Sequence, residues 1–257
     1  MNIATYAIEA KVEQTHWWFV GRRKLFASEI ERLGLPQDAP ILDVGTSTGT
    51  NLRMLTEQGY HNVCGLDFSE ESIRWCARKG LPPVHKGDVR RLPFGDNSFD
   101  LVLATDIIEH VDDDTLAVRE LRRVLKPSGH ALITVPAFAS LWGLQDVVAH
   151  HKRRYRMKPL LDKLGKAGLL PDRSYYFNFI LFVPIWLARR VVQLFGIKLD
   201  SESQINSPLL NRILSGVFKI DISLAPHVRA PFGVSVLVVA RRSSLVDSSD
   251  INLRITT

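Results

Sequence analysis

Ile41-Leu42-Asp43-Val44-Gly45-Thr46-Ser47-Thr48-Gly49-Thr50 is the stretch whose reading decides the fold. A short apolar run closes on an acid, and a loop of small and hydroxylated residues follows. Leu52, Met54 and Leu55 then begin a pattern at helical spacing. This is the order of a buried strand, a tight turn and a helix N-terminus. Glycine lets backbone approach a ligand closely, and the free N–H groups of a helix start favour a carboxylate or phosphate. The loop reads as the cradle of a nucleotide-like ligand.

Outward from it, strands and helices alternate from residue 40 to 136. Strands are expected at 40–44, 63–67, from Val84 towards Asp88, at 99–104 and at 130–135, with helices at 50–59, from the Ser69 cap to Gly80, and from Asp112 or Asp113 to Leu125. Such alternation implies parallel strands, right-handed crossovers and helices on both faces. The fold class is α/β, a Rossmann-like, doubly wound, mostly parallel seven-stranded sheet. Further on, a helix near 158–168, a strand at 169–177, a helix over 208–219 and a last strand at 232–240 are expected.

One domain covers 1–241: an N-terminal helical cap (1–35), a ligand-binding core (38–136), an acceptor-side region with a helical insertion (137–231) and the last strand (232–241). Residues 242–257 read as a flexible tail. The helix expected over 3–33 carries His16-Trp17-Trp18-Phe19, and three adjacent aromatics cannot all enter one core from a helix. At least one should face a cleft, a lid or a partner. The apolar run 178–197 is too short and too interrupted to span a bilayer. It reads as a packing helix, beside a role in the membrane interface or as the wall of a substrate pocket.

The chain has 257 residues, a net charge of +6 and two cysteines. The charge comes as scattered arginine doublets, which suit anionic substrates or a membrane surface better than nucleic acid. Cys64 and Cys76 form no metal pattern, and charges interrupt any signal-peptide core. A cytoplasmic protein is expected, with membrane association as the variant.

Chemistry-bearing residues gather at successive strand ends: Asp43 with Gly45 and Gly49, then Asp67, then Asp88, then Thr105-Asp106 with Glu109-His110. Ligands of open α/β sheets bind at that edge. Asp67 can accept both hydroxyls of a ribose. Glycine spacing argues against a dinucleotide, which wants Gly-x-Gly-x-x-Gly.

Asp43 to Gly49 resembles the first motif of class I S-adenosylmethionine (SAM)-dependent methyltransferases, acid-x-Gly-x-Gly-x-Gly, with Ser47 in place of the middle glycine. Gly87 to Phe94, Asn97 to Val102, Ile107 to Val111 and Leu121 to His130 are similar to the small-molecule, type 11-like branch, which includes quinone-biosynthesis enzymes. The flanks, His16 to Arg23 and His151 to Tyr155, are similar to bacterial members associated with polysaccharide or lipid-linked glycans.

The resemblance implies SAM as cofactor. It implies that Gly45, Thr46 and Gly49 line the methionine portion and that Asp43 organises the loop near the ammonium group. Asp67 would hold the ribose, Phe68 and Val89 would lie against the adenine, and Asp88 would accept from its amino group. Thr105 would sit beside the sulfonium, and the last strand would insert antiparallel. The implied reaction methylates a small or lipid-linked acceptor, with an anionic acceptor as the variant, mainly by alignment. His110, His150 and His151 are the candidates for a general base. Arg153, Arg154 or Arg156 would grip an acceptor anion, against a solvated basic face. No metal ligands are expected, and Asp112-Asp113-Asp114 reads as a helix N-terminus. An NAD-dependent oxidoreductase and a non-catalytic SAM-binding scaffold are the alternatives.

Overall fold

The central strands are apolar on both sides, and that dictates the layering. The computed structural model describes residues 3–195 and 207–243. Its strands are β1 (Ile41–Val44), β2 (Val63–Asp67), β3 (Val84–Lys86), β4 (Phe99–Thr105), β5 (Leu125–Pro136), β6 (Leu169–Phe177) and β7 (Ser235–Arg242). Its α-helices are α1 (Ile3–Val12), α2 (Trp17–Glu31), α3 (Thr50–Glu57), α4 (Glu70–Arg78), α5 (Asp114–Val124), α6 (Leu144–Val148), α7 (Met157–Lys166), α8 (Phe182–Phe195) and α9 (Pro208–Val228).

The sheet order is β3-β2-β1-β4-β5-β7-β6. Pairing is parallel from β3 to β5, and β7 runs antiparallel to both β5 and β6. The doubly wound sheet with an antiparallel last strand is as expected. On β4, Leu101, Val102, Leu103 and Ala104 are all fully buried, so neither face meets water. Leu42, Val44, Val102 and Ala104 pack under α5 and α7, while Ile41, Leu101 and Leu103 pack under α2, α3 and α9. Side chains cap α4 and α5: Ser69 accepts from the Glu71 N–H at 3.2 Å, and Asp113 from the Leu116 N–H at 2.9 Å.

Four expectations change. The N-terminal helix is two helices, because His16 is extended and its ring accepts the Trp18 N–H at 3.3 Å, starting α2 afresh. α9 runs well past residue 219, because Phe218, Ile222 and Ala225 continue its buried face and buried Asp221 accepts the N–H groups of Asn178 and Ile180. β7 begins at Ser235 rather than 232, where pairing with Pro136 and Phe177 becomes available. Arg242 is the buried last residue of β7, not the first of a tail, and its guanidinium donates to Asn97 and the Leu125 carbonyl. Residues 244–257 of the expected tail, and residues 196–197 of the apolar run, lie outside the described residues.

The aromatic cluster joins α2 to α9. Phe218 meets Trp17 edge-on at 5.2 Å and stacks on Trp18 at 5.4 Å, with Phe177 behind. Such closeness requires Gly21, where a Cβ would lie 2.2 Å from the Phe218 ring. Gly21→Ala should therefore lower stability by about 1–2 kcal/mol, overpacking outweighing the helix-propensity gain of about 1 kcal/mol. A urea midpoint equal to or above that of the parent would contradict this packing.

Candidate functional site

After β1 the chain turns through three left-handed residues, Gly45 (φ 76), Ser47 (φ 49) and Gly49 (φ 87). Position 45 admits no side chain, since a Cβ there would lie 1.7 Å from Ile107 Cδ1. Ser47 keeps the left-handed backbone despite its Cβ, and all its polar atoms are used. Its N–H donates to Asp67 Oδ2 at 2.9 Å, its hydroxyl to Glu9 Oε2 at 2.9 Å, and its carbonyl accepts the Ser72 hydroxyl at 2.6 Å. The Thr48 hydroxyl donates to Glu13, which also takes the Lys79 ammonium at 2.6 Å. Glu9 on α1 and Glu13 just beyond it thus hold the N-terminal segment against the loop.

Beneath the loop, Asp43 is fully buried. Its Oδ1 accepts from Asn51 Nδ2 at 2.9 Å, and the same amide nitrogen donates to Thr105 Oγ1 at 3.0 Å. Oδ2 has no hydrogen-bond partner. Burial pushes the carboxyl up to about 7, against the lowering effect of Asn51. A buried acid with an orphan oxygen under a backbone cradle suits a ligand that carries a cationic group. Asp67 accepts the Ser69 N–H on Oδ1 at 2.8 Å and the Ser47 N–H on Oδ2, so each oxygen has capacity to spare.

One cavity of about 1030 Å³ runs along the carboxyl edge of the sheet. It passes Asp88 and Val89 beyond β3, Asp67 and Phe68 beyond β2, Gly45 and Thr46 beyond β1, and Thr105 and His110 beyond β4. Gly49 caps α3 just behind that wall. Phe68 is 75% exposed at the rim, whereas Val89 is buried. Arg90 occupies both oxygens of Asp88, with Nη2 to Oδ2 at 2.6 Å, and its hydrogen bonds hold that carboxyl below the usual range. A ligand amino group at Asp88 has to compete with this half-exposed guanidinium.

Towards β5 the cavity meets His110 and His151, with ring centroids 4.7 Å apart. His151 Nδ1 lies 2.8 Å from Asp146 Oδ1, and buried Arg154 holds the same carboxylate at 2.7 Å. Burial raises Asp146, but the hydrogen bonds from His151 and Arg154 outweigh it and hold the carboxyl at about 2. Burial, with His151 beside it, lowers His110 to about 4. His150 is exposed at φ 58 and outside the cavity wall.

Most of the basic run is engaged by neighbouring residues, and of it only Arg154 lines the cavity. Arg153 pairs with Asp114 at 3.1 Å and donates to the Val111 and Asp112 carbonyls. Arg154 binds Asp146 and the Ala137 carbonyl, Lys152 pairs with Asp112, and Arg156 lies over Phe138. The guanidiniums that line the cavity besides Arg90 and Arg154 include Arg22, paired with Asp106 at 2.7 Å, and Arg189.

Sequence reasoning passed over Glu9, Asn51 and Asp146. Asn51, one residue into α3, is the one whose place beside the loop was a readable signal. Glu9 is 38 residues from its partner Ser47, and no local pattern announces such a contact.

Residues 42–133 match the model of a family described as a methyltransferase domain. A demethylmenaquinone methyltransferase of Chlorobaculum parvum is 33% identical over 123 residues, covering 47% of this chain and 49% of the relative. A sterol 24-C-methyltransferase of Aspergillus fumigatus is 34% identical over 105 residues, covering 38% of this chain and 28% of the relative. The chain thus spans under half the length of either. Among solved structures, a SAM-dependent methyltransferase from Thermotoga maritima superposes with TM-score 0.59 at 20% identity, covering 94% of this chain and 96% of that one. At that identity the likeness is one of fold.

Proposed function

Because the chain is a member of the class I SAM-dependent methyltransferase superfamily, with SAM as cofactor, we propose that it methylates a small, apolar or lipid-linked acceptor. One observation carries the reading: a single cavity joins Asp67 and Asp88, at the ends of β2 and β3, to a region walled by apolar residues of α8 and α9, such as Ile185 and Leu214. The named activities of the quinone and sterol relatives support an acceptor of that class.

SAM supplies a methyl group already activated by the positive sulfur. The chain's task is to align and to exclude water. In this reading Asp67 accepts the ribose hydroxyls, Phe68 and Val89 flank the adenine, and Asp88 accepts from its amino group. Gly45, Thr46 and Gly49 line the methionine portion, with Thr105 near the sulfonium. The orphan oxygen of Asp43 fits the ammonium group. Handling of an acceptor proton falls to the His110–His151 side, where burial keeps His110 neutral at pH 7. The antiparallel β7 weighs against the oxidoreductase alternative.

The acceptor is reached from a lipid surface. α8 exposes Val183, Leu187, Val191 and Leu194, and α9 exposes Leu209, Ile213, Ile220 and Leu224, both at helical spacing. Inward residues of the same helices wall the cavity. Exposed Arg212 and Lys219 on α9 complement anionic headgroups. None of the described helices is long and apolar enough to cross a membrane, which fits lying on the surface instead.

Incubation with methyl-labelled SAM and vesicles of an anionic lipid extract should put label into the lipid fraction. Leu187→Glu with Leu224→Glu should cut vesicle sedimentation several-fold and spare S-adenosylhomocysteine binding. Label confined to water-soluble products, or unchanged sedimentation, would contradict the lipid assignment.

The buried Asp43 gives a pH dependence of known sign. Its carboxyl, raised to about 7, is protonated below that pH and offers no charge to an ammonium group. Affinity for S-adenosylhomocysteine should rise about tenfold from pH 6 to 8. Asp43→Asn should weaken binding and flatten the profile; an unchanged slope in that variant would exclude this role.

A further inference from the structure

Glu109 is fully buried, and neither of its carboxylate oxygens has a hydrogen-bond partner. An uncompensated buried carboxylate is costly, and native structures seldom retain one without a partner. Two imidazoles face it. His110 Nε2 lies 4.0 Å and His151 Nε2 3.9 Å from Glu109 Oε1, and one ligand atom from each of the three side chains lies within 4.8 Å of the others. We propose that Glu109, His110 and His151 bind a divalent transition-series cation, of which Zn²⁺ and Mn²⁺ are typical, in the wall of the cavity.

Two imidazole nitrogens and one carboxylate are a common donor set for such cations, at bond lengths of about 2.0–2.2 Å. Ligand atoms around an ion at those lengths are roughly 3–4 Å apart, so closing on a cation needs only small side-chain adjustments. Both rings are already oriented from outside. Asp146 holds His151 at Nδ1, leaving Nε2 towards Glu109, and His110 is hydrogen-bonded to the Ala149 backbone. Carboxylate and carbonyl partners of this kind orient the histidines of metal sites. His151 lies 41 residues beyond His110 and reaches it through the α6 segment, so no contiguous spacing marks the set.

Because His110 and His151 line the cavity, open positions on the ion face an acceptor. The consequence for catalysis rests on the methyl-transfer reading; the site itself does not. A coordinated acceptor hydroxyl has a lowered pKa and loses its proton to solvent. Its oxygen pair forms the new O–CH₃ bond while the C–S bond breaks and returns its pair to sulfur. With the ion bound both histidines act as ligands, and this role replaces the proton handling that falls to them in the metal-free chain.

The test uses the full chain, stripped by chelator dialysis and titrated with Co²⁺ and Zn²⁺ by calorimetry, with the visible spectrum followed for Co²⁺. One ion per chain is expected, with Co²⁺ absorption bands. Glu109→Gln, His110→Ala and His151→Ala should each weaken binding at least about tenfold, and His150→Ala, on the exposed neighbour, should not. Retained S-adenosylhomocysteine binding certifies the fold of each variant. In the unaltered chain, Zn²⁺ should shift the ring-nitrogen NMR signals of His110 and His151, which needs no substitution. Absence of a bound ion, or signals of both rings unmoved by Zn²⁺, would overturn the proposal. Failure of the parent chain to bind S-adenosylhomocysteine would instead count against the methyl-transfer reading and leave the cation result standing.

Discussion

Asn51 ties Asp43 to Thr105, and with them the end of β1 to the end of β4. These two strands are neighbours at the centre of the sheet, where β2 and β3 lie to one side and β5 to the other. Loops diverge at such a point and leave a crevice at the carboxyl edge. A fully buried carboxylate there is tolerable because Asn51 satisfies one oxygen, while the other oxygen has no hydrogen-bond partner. The candidate site lies along that edge. The acids beyond β1, β2 and β3 stand on one side of the switch point, and the Glu109–His110–His151 group stands on the other.

The N-terminal segment is part of the same construction. Ser47 replaces a glycine, which costs backbone strain, and its hydroxyl then binds Glu9 of α1. Thr48 and Lys79 bind Glu13 in the same way. Further along, α2 packs through Gly21 on Phe218, so α9 and its exposed apolar stripe are positioned by the segment that covers the loop. The loop after β1 and the α9 wall of the cavity are therefore mechanically joined. The substitution at 47 reads as an attachment point rather than a damaged motif.

Much of this was legible because the signals are local. β1, β2, β4 and the second half of β5 announce themselves as apolar runs, and an acid ending a strand is adjacent in sequence to the strand that positions it. What stayed hidden depends on contacts between distant segments. Arg153 and Arg154 read as a basic face, but Asp114 and Asp146 neutralise them across loops that no periodicity links. His150 and His151 are indistinguishable as neighbours; the difference is that Asp146 captures His151 while the left-handed turn at 150 sends the other ring to solvent. Arg242 read as the start of a tail because its anchors, Asn97 in the turn before β4 and the Leu125 carbonyl of β5, are distant in sequence. Glu109 reads as one of the polar residues gathered beyond β4, and only its burial without a partner sets it apart.

The central claim is that the carboxyl edge of this sheet holds S-adenosylmethionine through the acids at its strand ends. Calorimetric titration with S-adenosylhomocysteine and, separately, with NAD tests it most directly. One molecule of S-adenosylhomocysteine per chain, no heat of binding with NAD, and loss of the binding in Asp67→Ala are expected. Saturable binding of NAD, or S-adenosylhomocysteine binding undiminished by Asp67→Ala, would contradict it.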